Sequence, residues 1–147
     1  MQITRQADYA VRAVLYLAQL KPGQRVSTAE VSREQHIPLT FLAKIVAQLG
    51  PAGVLRTTRG AHGGISLARP AETLSLLEVV EAIDGPLALN ACVLNPEACE
   101  LADRCPVRVV WCEAQADLAQ RLARTNFGQL ALQVQRPAGP AAAAPSL

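Results

Sequence analysis

Two short helix-forming segments with only a few residues between them constrain the fold of this chain more than any other feature. Ser27 stands three residues before Glu30, a capping-box spacing that predicts a helix running to about Gln35. Pro38 occupies the first position of a second predicted helix. The buried face of that helix is marked by apolar residues at helical spacing, namely Leu39, Leu42, Ile45, Val46 and Leu49. Two short helices joined in this way predict a helix-turn-helix.

A predicted helix precedes this motif, and a predicted β-hairpin follows it. Thr4 can cap the first helix, which ends before Lys21 and carries apolar residues at helical spacing: Ala7, Val11, Val14 and Ala18. Two β-prone runs, 54–57 and 65–67, flank the Gly-rich segment 58–64 and predict a hairpin. A hairpin directly after a helix-turn-helix is a wing. The predicted fold class is therefore mainly α, a winged helix-turn-helix with a two-stranded wing and a long C-terminal dimerisation helix.

Charge is distributed unevenly along the chain. Residues 1–70 contain nine basic and three acidic side chains, a net charge of +6, whereas residues 71–147 contain five basic and nine acidic ones, a net charge of −4. A basic half is expected of a protein that neutralises phosphates. The sequence therefore predicts that the N-terminal half binds double-stranded DNA.

The second helix of a helix-turn-helix enters the major groove with its outward N-terminal residues near the base edges. Lys44 is placed to contact guanine or, more commonly for such a side chain, a phosphate. Phe41 has an alternative role, which is to pack the recognition helix against the first helix. Arg59, near the tip of the wing, is placed to enter a minor groove. The candidate DNA-binding residues are Thr40, Phe41, Lys44, Gln48, Arg56, Arg59 and His62.

The remainder of the chain divides into four stretches. A helix predicted over 75–83 completes the winged domain, which is assigned to residues 1–86. Residues 87–104 have the composition of an irregular loop that carries the first two cysteines. A long helix begins at Pro106 and extends to about Arg124 with a mostly apolar stripe, so residues 105–130 are assigned as a dimerisation helix. Residues 131–147, rich in Pro and Ala, are predicted to be a disordered tail.

Three cysteines, Cys92, Cys99 and Cys105, lie close together in the chain, and a fourth, Cys112, follows them. Zinc is disfavoured because the chain lacks close cysteine pairs, and both of its histidines lie in the DNA-binding half. Iron-sulfur clusters tolerate wider spacings between their thiolate ligands. Cys105 is predicted at the N-cap of the long helix, where the helix dipole favours an anionic group. Cys112 is too far along that helix for an easy shared site, so it is interpreted as a buried thiol.

Taken together, these residues resemble the IscR/NsrR family of bacterial winged-helix regulators, which sense iron-sulfur status, nitric oxide or redox stress. The similarity covers nearly everything but the tail, and its specific parts are the wing segment 59–70 and the three cysteines. It also includes Thr4, Asp8-Tyr9-Ala10, Ile37-Pro38-Leu39, Leu42, the segment 78–85 and Trp111. The resemblance implies a homodimeric transcription factor, usually a repressor. It also implies a cluster, 2Fe-2S or 4Fe-4S, that is held by three cysteines and one other ligand.

The fourth ligand differs between branches of this family. The branch that controls iron-sulfur biogenesis has a histidine three residues after the last cysteine, but this chain has Arg108, which cannot ligate iron. The nitric-oxide-sensing branch uses an aspartate near the N-terminus of the partner subunit, and Asp8 of the partner subunit is the matching residue. Asp8 has the alternative role of an acidic residue that stabilises the first turn of its helix.

The sequence thus predicts a cytoplasmic, homodimeric regulator that binds a palindromic operator and senses nitric oxide, redox or iron-sulfur status through Cys92, Cys99 and Cys105. The alternative is a metal-free thiol switch, or a regulator of sulfur metabolism that acts through a protein partner. An enzyme is not expected, because no catalytic motif accompanies the cysteines or histidines. A membrane protein is not expected either, because no segment approaches about 20 consecutive apolar residues.

Overall fold

A computed structural model of the protein describes residues 2–136 as seven α-helices and one two-stranded sheet. The helices are α1 (Arg5–Ala18), α2 (Thr28–Gln35), α3 (Leu39–Leu49), α4 (Leu76–Asp84), α5 (Ala91–Leu94), α6 (Pro106–Arg124) and α7 (Phe127–Val134). The strands are β1 (Leu55–Thr58) and β2 (Gly64–Leu67), which pair antiparallel with Leu55 opposite Leu67. This architecture confirms the predicted winged helix-turn-helix fold.

Side chains that precede α1 and α2 explain where these helices begin. The hydroxyl of Thr4 accepts a hydrogen bond from the amide of Ala7, and that of Ser27 accepts one from the amide of Glu30. The predicted capping box at Ser27 is only half formed, because the Glu30 carboxylate accepts a hydrogen bond from the Tyr16 hydroxyl at 3.1 Å. Burial, followed by this hydrogen bond, raises the pKa of Tyr16 above 10.0. Glu30 therefore ties α2 to α1.

The turn of the helix-turn-helix is fixed by its backbone. His36 adopts a left-handed conformation with φ of 52°, which ends α2. The hydroxyl of Ser32 donates to the carbonyl of Ile37 at 2.6 Å, and the Ile37 side chain is buried. Pro38 caps α3 instead of occupying its first turn, so α3 begins one residue later than predicted. These contacts set the orientation of α3 relative to α2.

The core lies around α1, which contacts α2, α3, α4, α7 and the wing. Ala7, Ala10 and Ala13 are fully buried on α1, and their small side chains allow the neighbouring helices to approach closely. The largest fully buried side chains come from the other elements and loops as well as α1: Phe127, Ile37, Leu42, Ile45, Leu49, Ile65, Leu74, Val14, Val31, Val54 and Val79.

The wing is attached to the core at one point of very close approach. Val26 and Ile65 exchange two backbone hydrogen bonds, of 3.0 and 2.8 Å, which extend the hairpin by one bridge. Gly64 has a φ of 143°, and a Cβ at this position would lie 2.4 Å from the carbonyl oxygen of Val26. Only glycine fits there. The start of β2, close to the turn of the wing, is therefore held against the residue that precedes Ser27 and α2.

A second attachment joins the wing to α4. The Arg69 guanidinium, just after β2, donates to the carbonyls of Gly53 and Thr73 and to the Glu78 carboxylate at 2.6 Å. Ser75 and Glu78 form the complete capping box of α4. Burial alone would raise the pKa of Glu78, but the hydrogen bonds from Ser75 and Arg69 outweigh it and lower this pKa below 4.5.

The C-terminal part departs from the sequence prediction. The long helix starts at Pro106 and ends at Arg124 as predicted, but α7 follows it inside the segments assigned as dimerisation helix and tail. The chain turns at 125–126 because Thr125 accepts a backbone hydrogen bond from Leu76, and Phe127 donates one to Leu74. Phe127 is fully buried against the core. Residues 131–134 of the predicted tail are thus helical, and 137–147 lie outside the described residues.

The cysteine-bearing segment is also more ordered than predicted. Cys92 lies in the one-turn helix α5 instead of a loop, because the Asn90 side chain accepts the amide of Ala91 and starts a turn there. Two further single turns, Pro96–Ala98 and Ala102–Arg104, lie between α5 and α6.

Among the residues that the structure describes, no helix has the length and hydrophobicity needed to span a membrane.

Candidate functional site

The outward face of α3 carries the residues predicted to meet DNA. Leu42, Ile45 and Leu49 are fully buried and hold α3 on the core, whereas Thr40 and Lys44 are exposed one helical turn apart. An exposed hydroxyl and an exposed ammonium group near the start of a recognition helix are suited to phosphate or base-edge contacts. The structure therefore places both side chains where a DNA contact is possible.

Phe41 packs against α1, as in the alternative weighed for it. Its ring meets the ring of Tyr9 edge to face, with centroids 5.5 Å apart and planes at 78°. The Phe41 side chain still keeps 37% of its surface exposed. Gln48 is also engaged with α1, because its side-chain oxygen accepts a hydrogen bond from Gln6. Both residues therefore connect the recognition helix to α1.

Two basic residues that the sequence analysis did not single out lie beside this contact. The guanidinium carbons of Arg5 and Arg12 are 5.9 and 5.2 Å from the centroid of the Tyr9 ring. They precede and follow Tyr9 by four and three residues, so helical spacing places them on the same face of α1. This helical spacing is the feature of the sequence from which both arginines could have been predicted. The N-terminal half of α1 therefore adds positive charge next to α3.

The wing presents its predicted residues to solvent. Arg56 lies on β1 opposite Ser66, and Arg59 and His62 lie in the turn between the strands. All three side chains are exposed. Arg56 also lines a cleft at the base of the wing together with Lys21 and Arg69. The wing thus carries exposed cations both at its tip and at its base, which is the charge needed to bind a phosphate backbone.

Asp8 is already paired within its own chain. Its carboxylate accepts a hydrogen bond from the Arg12 guanidinium at 2.6 Å, one turn along α1. The side chain of Asp8 retains 47% of its surface exposed, so a second group can still reach it. It also lies in the first turn of α1, where a negative charge is favourable. Any metal bound by Asp8 would therefore compete with Arg12.

The four cysteines are all free thiols, but they differ in their surroundings. Cys92 on α5 and Cys112 on α6 are half-buried, whereas Cys99 is exposed. Cys105 is the N-cap of α6, as predicted, and its side chain makes no capping hydrogen bond. Within residues 2–136, no three His, Cys, Asp or Glu side chains lie close enough together to hold a metal ion. The thiols that the structure describes therefore do not form a ready-made metal site.

One face of α6 is exposed and apolar. Residues at positions i, i+3, i+4, i+7 and i+11 form this stripe, namely Val107, Val110, Trp111, Ala114 and Leu118. Val110 and Trp111 expose 57% and 40% of their surface. Farther along the same face of α6, Leu118 and Leu122 are half-buried. We call the five residues the α6 stripe.

The chain matches the model of a known protein family. Residues 3–133 match the model of the Rrf2 family, described as an iron-dependent transcriptional regulator. The structure is similar to CymR, described as the global cysteine regulator of B. subtilis, with a TM-score of 0.74 and 21% identity over 90% of this chain and 98% of that one.

Two other solved structures show the same fold. IscR of T. potens has a TM-score of 0.73 and 21% identity over 95% of this chain and 94% of that one. The oxidized form of S. aureus CymR has a TM-score of 0.68 and 26% identity over 89% of this chain and 96% of that one. Because the family model spans nearly all the described residues, this chain belongs to the Rrf2 family of DNA-binding transcriptional regulators, and it is not an enzyme.

Proposed function

We propose that this Rrf2 regulator binds a palindromic operator as a homodimer, with α3 in the major groove and the wing on the flanking backbone. The observation that carries this proposal is the exposure of Thr40 and Lys44 on a recognition helix that three buried side chains hold in place. The exposed cations of the wing supply the sequence-independent part of the affinity. Repression follows if the bound dimer blocks the promoter.

The α6 stripe supports the dimer. It is a continuous apolar surface on a 19-residue helix none of whose residues is buried in the single chain. A second copy of the same helix is the partner that matches it, because a two-fold axis brings identical apolar surfaces together. Such a dimer also presents two copies of α3, which a palindromic site requires.

Replacing Lys44 or Arg59 by alanine is expected to weaken DNA binding. The slope of log affinity against log salt concentration should also become shallower, by about 1 for each phosphate that the variant no longer neutralises. The measurement is fluorescence anisotropy at several salt concentrations, with a DNA fragment selected by the wild-type protein. Arg124→Ala is the matched control, because it removes the same charge from an exposed position on α6. Slopes identical to wild type in both test variants would refute the proposed DNA face.

For the sensor, we propose that Cys92, Cys99 and Cys105 hold an iron-sulfur cluster, with Asp8 of the partner subunit as the fourth ligand. The donor set fits this group, because three free thiols fall within 14 residues and one of them caps a helix N-terminus. The segment must close further around iron, since a single chain does not gather three ligands within residues 2–136. When bound, such a cluster would supply iron that reacts with nitric oxide or oxidants, and loss of the cluster would alter operator affinity through the residues that hold it.

The test of the cluster is the visible absorption spectrum, with iron and sulfide content, of protein purified without oxygen. Broad visible absorption with stoichiometric iron and sulfide is the expected result. Protein that remains colourless and free of iron after reconstitution would contradict the cluster.

Changing Cys99 to alanine is expected to abolish the difference in operator affinity between anaerobic and nitric-oxide-treated protein, because one of three thiolate ligands is removed. Cys99 is exposed, so the fold should be unaffected. Cys112→Ala is the matched control and should respond to nitric oxide like wild type. An unchanged response in Cys99→Ala would show that this residue has no part in sensing.

A second candidate function is a metal-free thiol switch with the same fold. It is favoured by the four free thiols and by the absence, within the described residues, of an assembled metal site. The similar structures of CymR include one in an oxidized form. A free-thiol count that falls under peroxide in iron-free protein, with a parallel change in operator affinity, would support this candidate over the cluster.

A further inference from the structure

Side chains of α4 and α6 hold the segment that carries Cys92 by bonding to its backbone. The amide of Leu87 donates to the Glu81 carboxylate, and the amide of Leu89 donates to the Gln115 side chain, each at 3.0 Å. The third bond runs from the Arg108 guanidinium to the carbonyl oxygen of Cys92, at 2.9 Å. Because α5 is a single turn, which is not stable in isolation, its position depends on such contacts.

Arg108 occupies an electrostatically unfavourable place in its own helix. It is the third residue of α6, and a positive charge in the first turn opposes the helix dipole. That first turn contains no acidic residue that would compensate. The favourable partner of Arg108 lies on α5, where the carbonyl of Cys92 is among the last carbonyls of a short helix and lacks a partner within it. The favourable interaction of this half-buried arginine is therefore with α5, and its own helix α6 offers it none in the first turn.

We propose that Arg108 is a positioning residue of the sensor, which holds Cys92 beside the N-terminus of α6 and thereby fixes its distance from Cys105. The inference rests on the proposed sensory role of these cysteines and deepens it. Arginine offers no lone pair to a metal, so Arg108 acts through the backbone of Cys92 and not as a ligand. Gln115 supports the same segment three residues earlier, at Leu89.

The test is the alkylation rate of each cysteine by iodoacetamide in the reduced, iron-free, full-length protein, read by mass spectrometry. In Arg108→Met we expect the rate at Cys92 to rise about fivefold, the population change that follows from removing one hydrogen bond of ordinary net strength. Exposed Cys99 should keep its wild-type rate. Arg108→Lys, which retains a charged donor, should restore most of the protection of Cys92.

The direction of the change separates positioning from charge. If Arg108 acted only by its charge, its removal would disfavour the thiolate and slow alkylation at Cys92. Arg104→Met is the matched control, because it removes an exposed arginine next to Cys105 and should not accelerate alkylation of Cys92. An unchanged or slower rate in Arg108→Met, or equal acceleration in Arg104→Met, would overturn the inference.

Two further measurements separate this inference from the proposed function. Gln115→Met should also accelerate alkylation at Cys92, which provides an independent test should Arg108→Met fold poorly. Anaerobic reconstitution of Arg108→Met should give less iron per chain than wild type, whereas equal iron content and absorption would overturn its sensory role. Wild-type protein that takes up no iron would refute the cluster, and the alkylation rates would still decide whether Arg108 positions Cys92.

Discussion

Phe127→Ala is expected to lower the free energy of unfolding by about 3–5 kcal/mol, the usual effect of removing a fully buried phenylalanine. Phe127 is 0% exposed and lies in the same core cluster as Val14 of α1 and Ile45 of α3. Domains of this size have a total stability of about 5–15 kcal/mol. The variant should therefore lose much of its stability although the residue lies far along the chain from the DNA-binding motif.

Urea denaturation followed by circular dichroism measures this effect. Leu132→Ala is the matched control on the same helix, because its side chain is 60% exposed and its removal should change stability by no more than about 0.5 kcal/mol. Similar small effects in both variants would show that α7 does not contribute to the core of the winged domain.

Val110→Asp is expected to convert the protein to a monomer and to weaken operator binding by about 100-fold or more. In a two-fold interface each substitution occurs twice, so two carboxylates would be forced into one apolar contact. Once the subunits separate, the two recognition helices bind independently, and the gain from bivalent binding is about 10² to 10⁴. Val110 lies at the centre of the exposed part of the α6 stripe, which makes it the most sensitive position.

Sedimentation velocity and operator titration measure the two effects. Gln120→Asp introduces the same charge on the polar side of α6, near Glu113, and should leave both the mass and the affinity unchanged. A dimeric Val110→Asp protein with full affinity would place the dimer contact elsewhere. A monomeric protein that still binds a full palindrome tightly would show that dimerisation does not control DNA binding.

Local sequence signals predicted the N-terminal half because each of its elements is specified by nearby residues. The caps at Thr4 and Ser27 and the apolar spacing of α3 depend on contacts within a few positions. The hairpin was likewise predicted from two β-prone runs on either side of a Gly-rich segment. Phe41 was the point at which two roles remained open, and its contact with Tyr9 shows the packing role.

The C-terminal half was less predictable because contacts between residues far apart in the sequence determine it. A contact of the same kind also changed the predicted capping box at Ser27. The Glu30 carboxylate matched a capping box but bonds to Tyr16, which is 14 residues away in sequence. The break between α6 and α7 depends on backbone bonds to residues 74 and 76, which lie about 50 residues earlier. Neither a one-turn helix at Cys92 nor the side chains that hold it leaves a periodic pattern in the sequence.

The return of α7 to α1 has a consequence for the order in which the protein matures during synthesis. The hydrophobic core that supports the DNA-binding helix remains incomplete until Phe127 has left the ribosome, because no residue nearer the N-terminus occupies its place. The cysteine segment and the α6 stripe are synthesised before that point. We therefore expect the nascent chain to display its cysteine thiols and the α6 stripe before it has a stable DNA-binding domain.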